Sequence, residues 1–278
     1  MPRVVSTRIF SSGRLTASRL DQLSRAGFDG VEILADRRYF DYRNAGQIDE
    51  LRNWFADSTL KLASLRAPEH SDVSGGRGGP QALIRITNLD KAERIRATDE
   101  LKRVIDVADR LQFDRLIVPF GSAEEDYDPH KIDAAFNALD ELLVFSRGLD
   151  VEILLANQPS EMGQASKLKL FLSMTHLPFG YCFDAAAAAL SGESQEQFET
   201  MQDRVRGLAA ADAATDSTER LAPFLTEQGM LDWHSLGEQV RECAPIPNIV
   251  LDIDDPGTEQ PLADAHESLE RLEEILYG

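Results

Sequence analysis

The chain has few of the residues on which disulfide frameworks and nucleic-acid surfaces depend. Cys182 and Cys243 are the only cysteines among 278 residues, so no disulfide framework is expected and a reducing cytosol is compatible. Lysine and arginine number 29 against 48 aspartates and glutamates, which gives a formal net charge of −19. Because nucleic-acid affinity rests on clustered basic residues, this balance argues against a nucleic-acid partner.

Long hydrophobic runs are also missing. Met1-Pro2-Arg3 leads into a short strand-like run rather than into the apolar region of a secretory signal, so no signal sequence is predicted. No apolar stretch is long enough to cross a bilayer. We therefore predict a cytoplasmic protein with no membrane partner.

What the chain does contain is an end-to-end alternation of short β-rich runs with amphipathic helical runs. The predicted strands are 4–10, 28–34, 61–66, 115–120, 151–156, 179–184, 205–212 and 249–253. Helices are predicted at 15–26, 48–58, 90–111, 129–147 and 261–277. The pattern predicts an α/β fold, a single-domain (β/α)8 TIM barrel over residues 1–278.

A doubly wound open sheet is the alternative architecture. No Gly-x-Gly-x-x-Gly follows the first predicted strand, which weakens a dinucleotide-binding interpretation. The glycine-rich run at 75–80 precedes no helix start directly, so it is interpreted as a mobile lid or a surface excursion rather than a phosphate cradle.

Several short motifs at the predicted strand ends carry a family resemblance. They read STRIF at 6–10, GFDGVEI at 27–33, YFDY at 39–42, SLRAP at 64–68, LLANQP at 154–159, CFD at 182–184 and GMLDW at 229–233. In order and spacing they resemble the xylose-isomerase-like barrels of the sugar phosphate isomerases and epimerases. The resemblance covers almost the whole chain.

The resemblance implies a divalent metal held after the fifth, sixth and eighth strands and near the seventh. The matching positions here read Ala156, Asp184, Arg220 or Ala209, and Asp252. Further histidines of the family are replaced by Arg8, Arg66, Pro119 and Ala187. The five histidines of the chain, His70, His130, His176, His234 and His266, are predicted to lie in loops or helices rather than at strand ends.

These substitutions predict that the chain holds no metal and needs no cofactor. A catalytic divalent ion needs about three protein ligands. Asp184 and Asp252 supply two carboxylates, and Glu32 could add a third. Arginine side chains beside them would repel a cation, and a guanidinium charge could stand in for the lost metal charge.

The predicted ligand-binding residues lie around one mouth of the barrel. They are Arg8, Glu32, Arg66, Asp184, Asp212, Arg220 and Asp252. One hypothesis makes them an ion-pair network that stabilises the barrel and binds nothing. A second makes them a remodelled pocket for an anionic small molecule such as a sugar phosphate or sugar acid. A third and narrower hypothesis is catalysis without metal, with Glu32 or Asp252 as general base.

The sequence thus predicts a pseudoenzyme in carbohydrate metabolism: a degenerate sugar-isomerase-like barrel that binds or regulates, or supports an active paralogue. An active sugar (phosphate) isomerase or epimerase with an atypical site is the alternative, and metal content separates the two. An abasic-site endonuclease would need several zinc ions and a basic surface, and the composition of this chain provides neither. An interaction module remains open, since helices on a barrel exterior often mediate homo-oligomers.

Overall fold

Eight parallel strands close into a barrel in the computed structural model of the chain, which describes residues 1–10, 13–71, 82–215 and 217–278. The strands are β1 (Val4–Ser6), β2 (Gly30–Leu34), β3 (Lys61–Arg66), β4 (Arg115–Pro119), β5 (Glu152–Ala156), β6 (Gly180–Asp184), β7 (Val205–Ala210) and β8 (Asn248–Leu251). Each pairs with its neighbours in chain order, and β1 pairs with β8. The closed barrel confirms the (β/α)8 prediction and excludes the open sheet.

Helices cover the outside of the barrel. They are α1 (Ala17–Arg25), α2 (Ala45–Ala56), α3 (Lys91–Ile105), α4 (Pro129–Arg147), α5 (Ala165–Met174), α6 (Ala185–Ser191), α7 (Ser194–Met201), α8 (Trp233–Arg241) and α9 (Pro261–Tyr277). Side chains of Asp90, Asp128 and Asp232 cap α3, α4 and α8 by accepting hydrogen bonds from first-turn N–H groups. Within the described ranges, no helix combines the length and the hydropathy needed to cross a membrane.

Three predicted elements end earlier than expected, and two of these differences move a site residue. The first strand stops at Ser6, and Thr7–Phe10 form a 3₁₀ turn that carries Arg8. β7 stops at Ala210, so Asp212 lies beyond the strand. The long predicted helix 90–111 ends at Ile105 and continues as a separate 3₁₀ turn. The glycine-rich run at 75–80 lies outside the described residues.

The barrel wall separates two apolar cores. The larger one lies between strands and helices and includes the outward-facing Val5 and Leu251, which are both fully buried. Burying one such side chain contributes about 1.5–3 kcal/mol to stability. The smaller core lies inside the barrel and consists of Ile117, Leu154, Ala156, Cys182 and Ala209. Above it, at the carboxyl ends of the strands, the inward positions become charged.

Candidate functional site

Six of the seven predicted ligand-binding residues meet at the carboxyl-terminal ends of the strands, which we call the mouth. They form the arginine–carboxylate cluster, which consists of Arg8, Glu32, Arg66, Asp184, Arg220 and Asp252. Three guanidinium groups thus face three carboxylates, and their formal charges cancel. Ion pairs removed from water in this way need nearly complete pairing to be tolerated.

Arg66 lies at the centre of the cluster. It ends β3, and its Nε donates to Glu32 Oε1 at 2.8 Å. The same Nε lies 3.5 Å from Asp252 Oδ2, while Nη1 donates to Asp184 Oδ2 at 3.4 Å. Ser64 completes the shell of Glu32 by donating its hydroxyl to Oε2 at 2.7 Å. One guanidinium therefore contacts carboxylates that lie on or directly after three different strands.

Asp252 follows β8, is fully buried and is paired with all three arginines. Arg8 Nε donates to its Oδ1 at 3.0 Å, and Arg220 Nε lies 3.1 Å from its Oδ2. Burial alone would raise the pKa of Asp252, but the positive charges of Arg66, Arg8 and Arg220 lower it well below its usual value. Asp252 is therefore held as a carboxylate.

Asp184 ends β6 and begins α6. Its Oδ1 accepts from Arg220 Nη2 at 2.9 Å and from the Ala187 N–H at 3.1 Å, so one carboxylate both pairs with arginine and caps the helix. Asn157, fully buried after β5, contacts the backbone of Asp184 through its side-chain amide. Asn157 was not among the predicted site residues, although it follows the fifth strand directly.

The position of Arg8 depends on the turn after β1. Thr7 Oγ1 accepts from the Leu34 N–H at 3.0 Å, which ties this turn to the end of β2. Arg8 then reaches Asp252, and its Nη1 lies 3.9 Å from Asp254 Oδ1. About 20% of its side chain stays exposed, the largest fraction among the three arginines of the cluster.

Arg220 comes from the connection between β7 and α8 rather than from a strand. The Arg220 N–H donates to Asp254 Oδ2 at 2.9 Å, and the Asp254 N–H donates to the Arg220 carbonyl at 3.0 Å. The adjacent Leu221 exchanges two backbone hydrogen bonds with Asp212. These links hold the connection across the mouth. Of Arg220 and Ala209, the two residues matched to the family's seventh-strand ligand, Arg220 therefore reaches the cluster.

Asp212 does not join the cluster, because it organises that same connection. Its Oδ1 accepts from the N–H groups of Ala213, Met230 and Leu231, and its Oδ2 accepts from Trp233 Nε1 at 2.9 Å. A Cβ at Gly229 would lie 2.5 Å from Asp212 Oδ2, so the close approach requires glycine there. Asp212 is thus placed as a buried loop anchor.

The electrostatic balance of the cluster also keeps Arg66 and Arg220 charged. Burial alone would lower the pKa of Arg66, but Asp252, Glu32 and Asp184 raise it well above its ordinary value. The pKa of Arg220 is raised in the same way, because Asp184 and Asp252 outweigh the effect of burial. Asp252, Arg66 and Arg220 are therefore ionised together.

This donor set does not fit the divalent metal that the family resemblance implies. Ala156 supplies no ligand and packs in the inner core, and Arg66 lies where it touches all three remaining carboxylates. In the described part of the chain, no three histidine, cysteine, aspartate or glutamate side chains come together as a metal-binding group. His70 lies in a two-residue strand paired with Leu83 outside the barrel, not in a loop or helix, while His130, His234 and His266 lie in helices.

A cavity of about 210 Å³ opens at the mouth above the cluster. Its wall includes Arg8, Arg66 and Arg220 together with Pro119 and Ala187, two positions where the family resemblance implies histidine. The exposed Glu69 and Glu219 stand at its rim. This volume lies below the range of about 300–1,000 Å³ typical of drug-sized sites, so the cavity suits a small polar molecule.

Both candidate general bases are ion-paired with arginine, although Asp252 Oδ2 accepts no hydrogen bond from the described residues. Both oxygens of Glu32 accept hydrogen bonds, and the lowered pKa of Asp252 makes it a weak proton acceptor. The geometry favours binding over proton transfer at these two residues.

Comparison with known proteins supports the same architecture. A family model described as xylose isomerase-like TIM barrel matches residues 20–275. No curated protein sequence matches the chain. A crystal structure of a D-tagatose 3-epimerase-like protein superposes with a TM-score of 0.79 at 18% identity, covering 99% of this chain and 98% of the other.

Two further solved structures cover the chain equally well. D-psicose 3-epimerase, crystallised in the presence of D-fructose, gives a TM-score of 0.77 at 12% identity and covers 100% of both chains. A xylose isomerase-like TIM barrel protein from Mycobacterium smegmatis, in complex with magnesium, gives 0.70 at 14% identity over 99% of this chain and 97% of the other. At these identities the likeness shows the fold.

Proposed function

The chain belongs to the xylose isomerase-like TIM barrel family, and from that premise we propose that it is a binding or regulatory member that works without metal-dependent isomerase chemistry. Its ligand is a small sugar acid or sugar phosphate, and the mouth cavity holds it. The observation that carries the proposal is the position of Arg66, whose guanidinium contacts Glu32, Asp184 and Asp252 at 2.8–3.5 Å.

That position supports the loss of metal chemistry for an electrostatic reason. A cation bound among these carboxylates would lie beside the buried charge of Arg66, and the two like charges would repel. Arg66 would have to leave a site in which its side chain is only about 9% exposed. The guanidinium thus takes over the charge-balancing role of a metal and cannot polarise a substrate carbonyl as a Lewis acid does.

The groups at the mouth match the chemistry of an acidic sugar. Arg8 donates through Nε to Asp252, and its exposed fraction faces the cavity. Guanidinium groups bind carboxylate and phosphate oxygens with charge-assisted hydrogen bonds. Glu69 and Glu219 at the rim can accept hydrogen bonds from sugar hydroxyls. A sugar acid or sugar phosphate carries both kinds of group on one small molecule.

The binding experiment compares a ketose phosphate with the same ketose lacking phosphate, by calorimetry. Wild-type protein should bind the phosphorylated sugar more tightly. Arg8→Ala should weaken that binding about tenfold or more, since a hydrogen bond to a charged group contributes about 1.5–3 kcal/mol. Arg110→Ala makes the same charge change on an exposed side chain paired with Asp49, and should leave the affinity unchanged.

If Arg8→Ala bound the ketose phosphate as tightly as wild-type protein does, Arg8 would not be part of the binding site. If neither wild-type protein nor Arg110→Ala bound the ketose phosphate, the cluster would serve only to stabilise the barrel.

Metal content separates the proposal from an active isomerase or epimerase. Purified protein is analysed for bound metal before and after incubation with manganese, zinc, magnesium and cobalt, alongside thermal unfolding. The proposal expects no stoichiometric ion and no rise in melting temperature. About one ion per chain together with a higher melting temperature would contradict it and favour the active enzyme.

A further inference from the structure

We propose that the barrel holds a second ligand site at its amino-terminal end, which binds a small, neutral, mainly apolar molecule carrying one hydrogen-bond acceptor. The site is a cavity of about 530 Å³, here called the basal cavity. Its entrance is formed by residues at or near strand starts: Asp29, Lys61, Arg115 and Asn248. It lies at the opposite end of the barrel from the mouth, and its function does not depend on the mouth ligand.

The wall of the cavity includes two glycines at a level where bulky side chains are usual. Side chains of Val, Ile and Leu normally fill such a barrel in layers. Here Gly30 on β2 and Gly207 on β7 lie in the cavity wall. Gly30 is in register with Val4 of β1, which in turn is in register with Val250 of β8. This level therefore carries two valines beside a glycine.

The wall of the basal cavity is mainly apolar. Val4, Ile117, Leu154 and Val250 line it from four strands, and each is less than a tenth exposed. The volume falls within the range of about 300–1,000 Å³ typical of small-molecule sites, which are lined mostly by hydrophobic side chains with a few polar groups. These observations call for a ligand with an apolar body.

The inner end of the basal cavity supplies the polar group. Arg66 and Glu32 lie in its wall, so Arg66 borders both this cavity and the mouth cavity. Arg66 Nη2 is buried and has no hydrogen-bond partner among the described residues. Because Nη2 has almost no accessible surface, we infer that a ligand's acceptor reaches it only when the side chains at the inner end of the cavity shift. An unused buried donor costs about 1–3 kcal/mol, which that acceptor would then recover.

The charge around Arg66 decides which acceptor fits. Glu32, Asp184 and Asp252 already contact the Arg66 guanidinium. Arg8 and Arg220 line the mouth cavity but are not among the described residues that line the basal cavity, so an anionic ligand here would meet carboxylates without those two positive charges. A neutral hydroxyl or carbonyl oxygen can accept from Nη2 without that repulsion. The ligand class is therefore a neutral alcohol, ketone or ester with an apolar chain or ring.

The experiment titrates 1-heptanol and, separately, heptanoate into protein with labelled Ile, Leu and Val methyl groups, followed by NMR. Heptanol should bind saturably at one site and shift the methyl signals of Ile117, Leu154 and Val250. Heptanoate should bind at least tenfold more weakly. Absence of saturable shifts at these methyls, or equal binding of the two probes, would overturn the proposal.

Two Val→Phe variants locate the site. Val250→Phe should fill the cavity and weaken heptanol binding at least tenfold, whereas Val144→Phe, on a side chain 68% exposed on α4, should leave it unchanged. Unchanged heptanol affinity in folded Val250→Phe would overturn the proposal, and the methyl shifts of wild-type protein decide if that variant does not fold. Val250→Phe should leave binding of the ketose phosphate at the mouth unchanged, so failure at the mouth is distinguishable from failure here.

Discussion

The side-chain amide of Asn157 holds the backbone of Asp184 by two hydrogen bonds. Asn157 Oδ1 accepts from the Asp184 N–H at 2.6 Å, and its Nδ2 donates to the Asp184 carbonyl at 3.0 Å. Both residues are buried. Because Asn157 follows β5 and Asp184 ends β6, this link fixes the strand end from which the Asp184 carboxylate reaches Arg66 and Arg220.

Replacing Asn157 tests how much the cluster depends on that link. Asn157→Ala removes both bonds and leaves two polar backbone groups of Asp184 without this partner, so we expect a loss of about 2–4 kcal/mol in the free energy of unfolding. Urea denaturation measures it. Gln158→Ala, which removes a single bond to the Asn157 carbonyl, is the matched control. A loss no larger than that of the control would show that Asn157 does not position Asp184.

Arg66→His should destabilise the protein, because Glu32, Asp184 and Asp252 would lose their shared partner inside the barrel. Breaking one side of a buried ion pair costs about 3–5 kcal/mol. Arg96→His breaks an exposed pair with Glu93 and should cost less than about 1 kcal/mol. Thermal and urea unfolding check both. Unchanged or increased stability of Arg66→His would disprove the charge-balancing role.

Asp252 should make stability depend on pH in the acid range. Its folded pKa lies below the unfolded value of about 3.9, so the unfolded state binds more protons between the two values and stability rises with pH there. The contribution is complete above about pH 5 and is lost as pH falls below about 4.

Urea unfolding of wild type and Asp252→Asn from pH 6 to pH 3 tests this dependence. The stability difference between the two proteins should shrink as pH falls. The exposed Asp133→Asn should give a difference that stays near zero. A difference for Asp252→Asn that is independent of pH would contradict the prediction.

Cys182 should resist alkylation in the folded protein. Burial raises the pKa of its thiol to about 12, with Arg66 opposing the shift and the nearby carboxylates adding to it. At pH 8 only about one thiol in ten thousand would be ionised, and the thiolate is the reactive form.

A Cys243→Ser variant leaves Cys182 as the only thiol for this test. Iodoacetamide at pH 8, followed by mass spectrometry, should label it in urea and leave it unmodified in native buffer. Equal labelling rates in the two conditions would show that the thiol is neither buried nor shifted.

The fold was largely predictable because most elements carry their own local signals. Helix α4 has Asp128 at its N-cap, Pro129 in the first turn and Gly148 after its end, and its predicted bounds match the structure. The first strand was predicted too long because 4–10 reads as continuous β-forming sequence. In the structure the strand stops at Ser6, and the side chain of Thr7 accepts a hydrogen bond from the Leu34 N–H. That contact joins residues 27 positions apart, so the local sequence does not reveal it.

Part of the site was predictable from strand ends together with the family resemblance. Arg66 and Asp184 were placed in the mouth because they end predicted strands at positions that the resemblance matches to site residues, and parallel strand ends meet there. Asp212 was misplaced because its partners come from residues up to 21 positions away, such as Trp233. The role of Asn157 depends on which strands are neighbours, which the sequence does not state directly.

The pairing of three positive with three negative groups also bears on how such a barrel can change over generations. A single substitution such as Arg66→His or Ala156→Glu would leave an unmatched charge inside the barrel. Building a metal centre here would require several substitutions together, with the intermediates less stable than either end point. Under the proposed function, the cluster therefore makes the loss of metal chemistry hard to reverse.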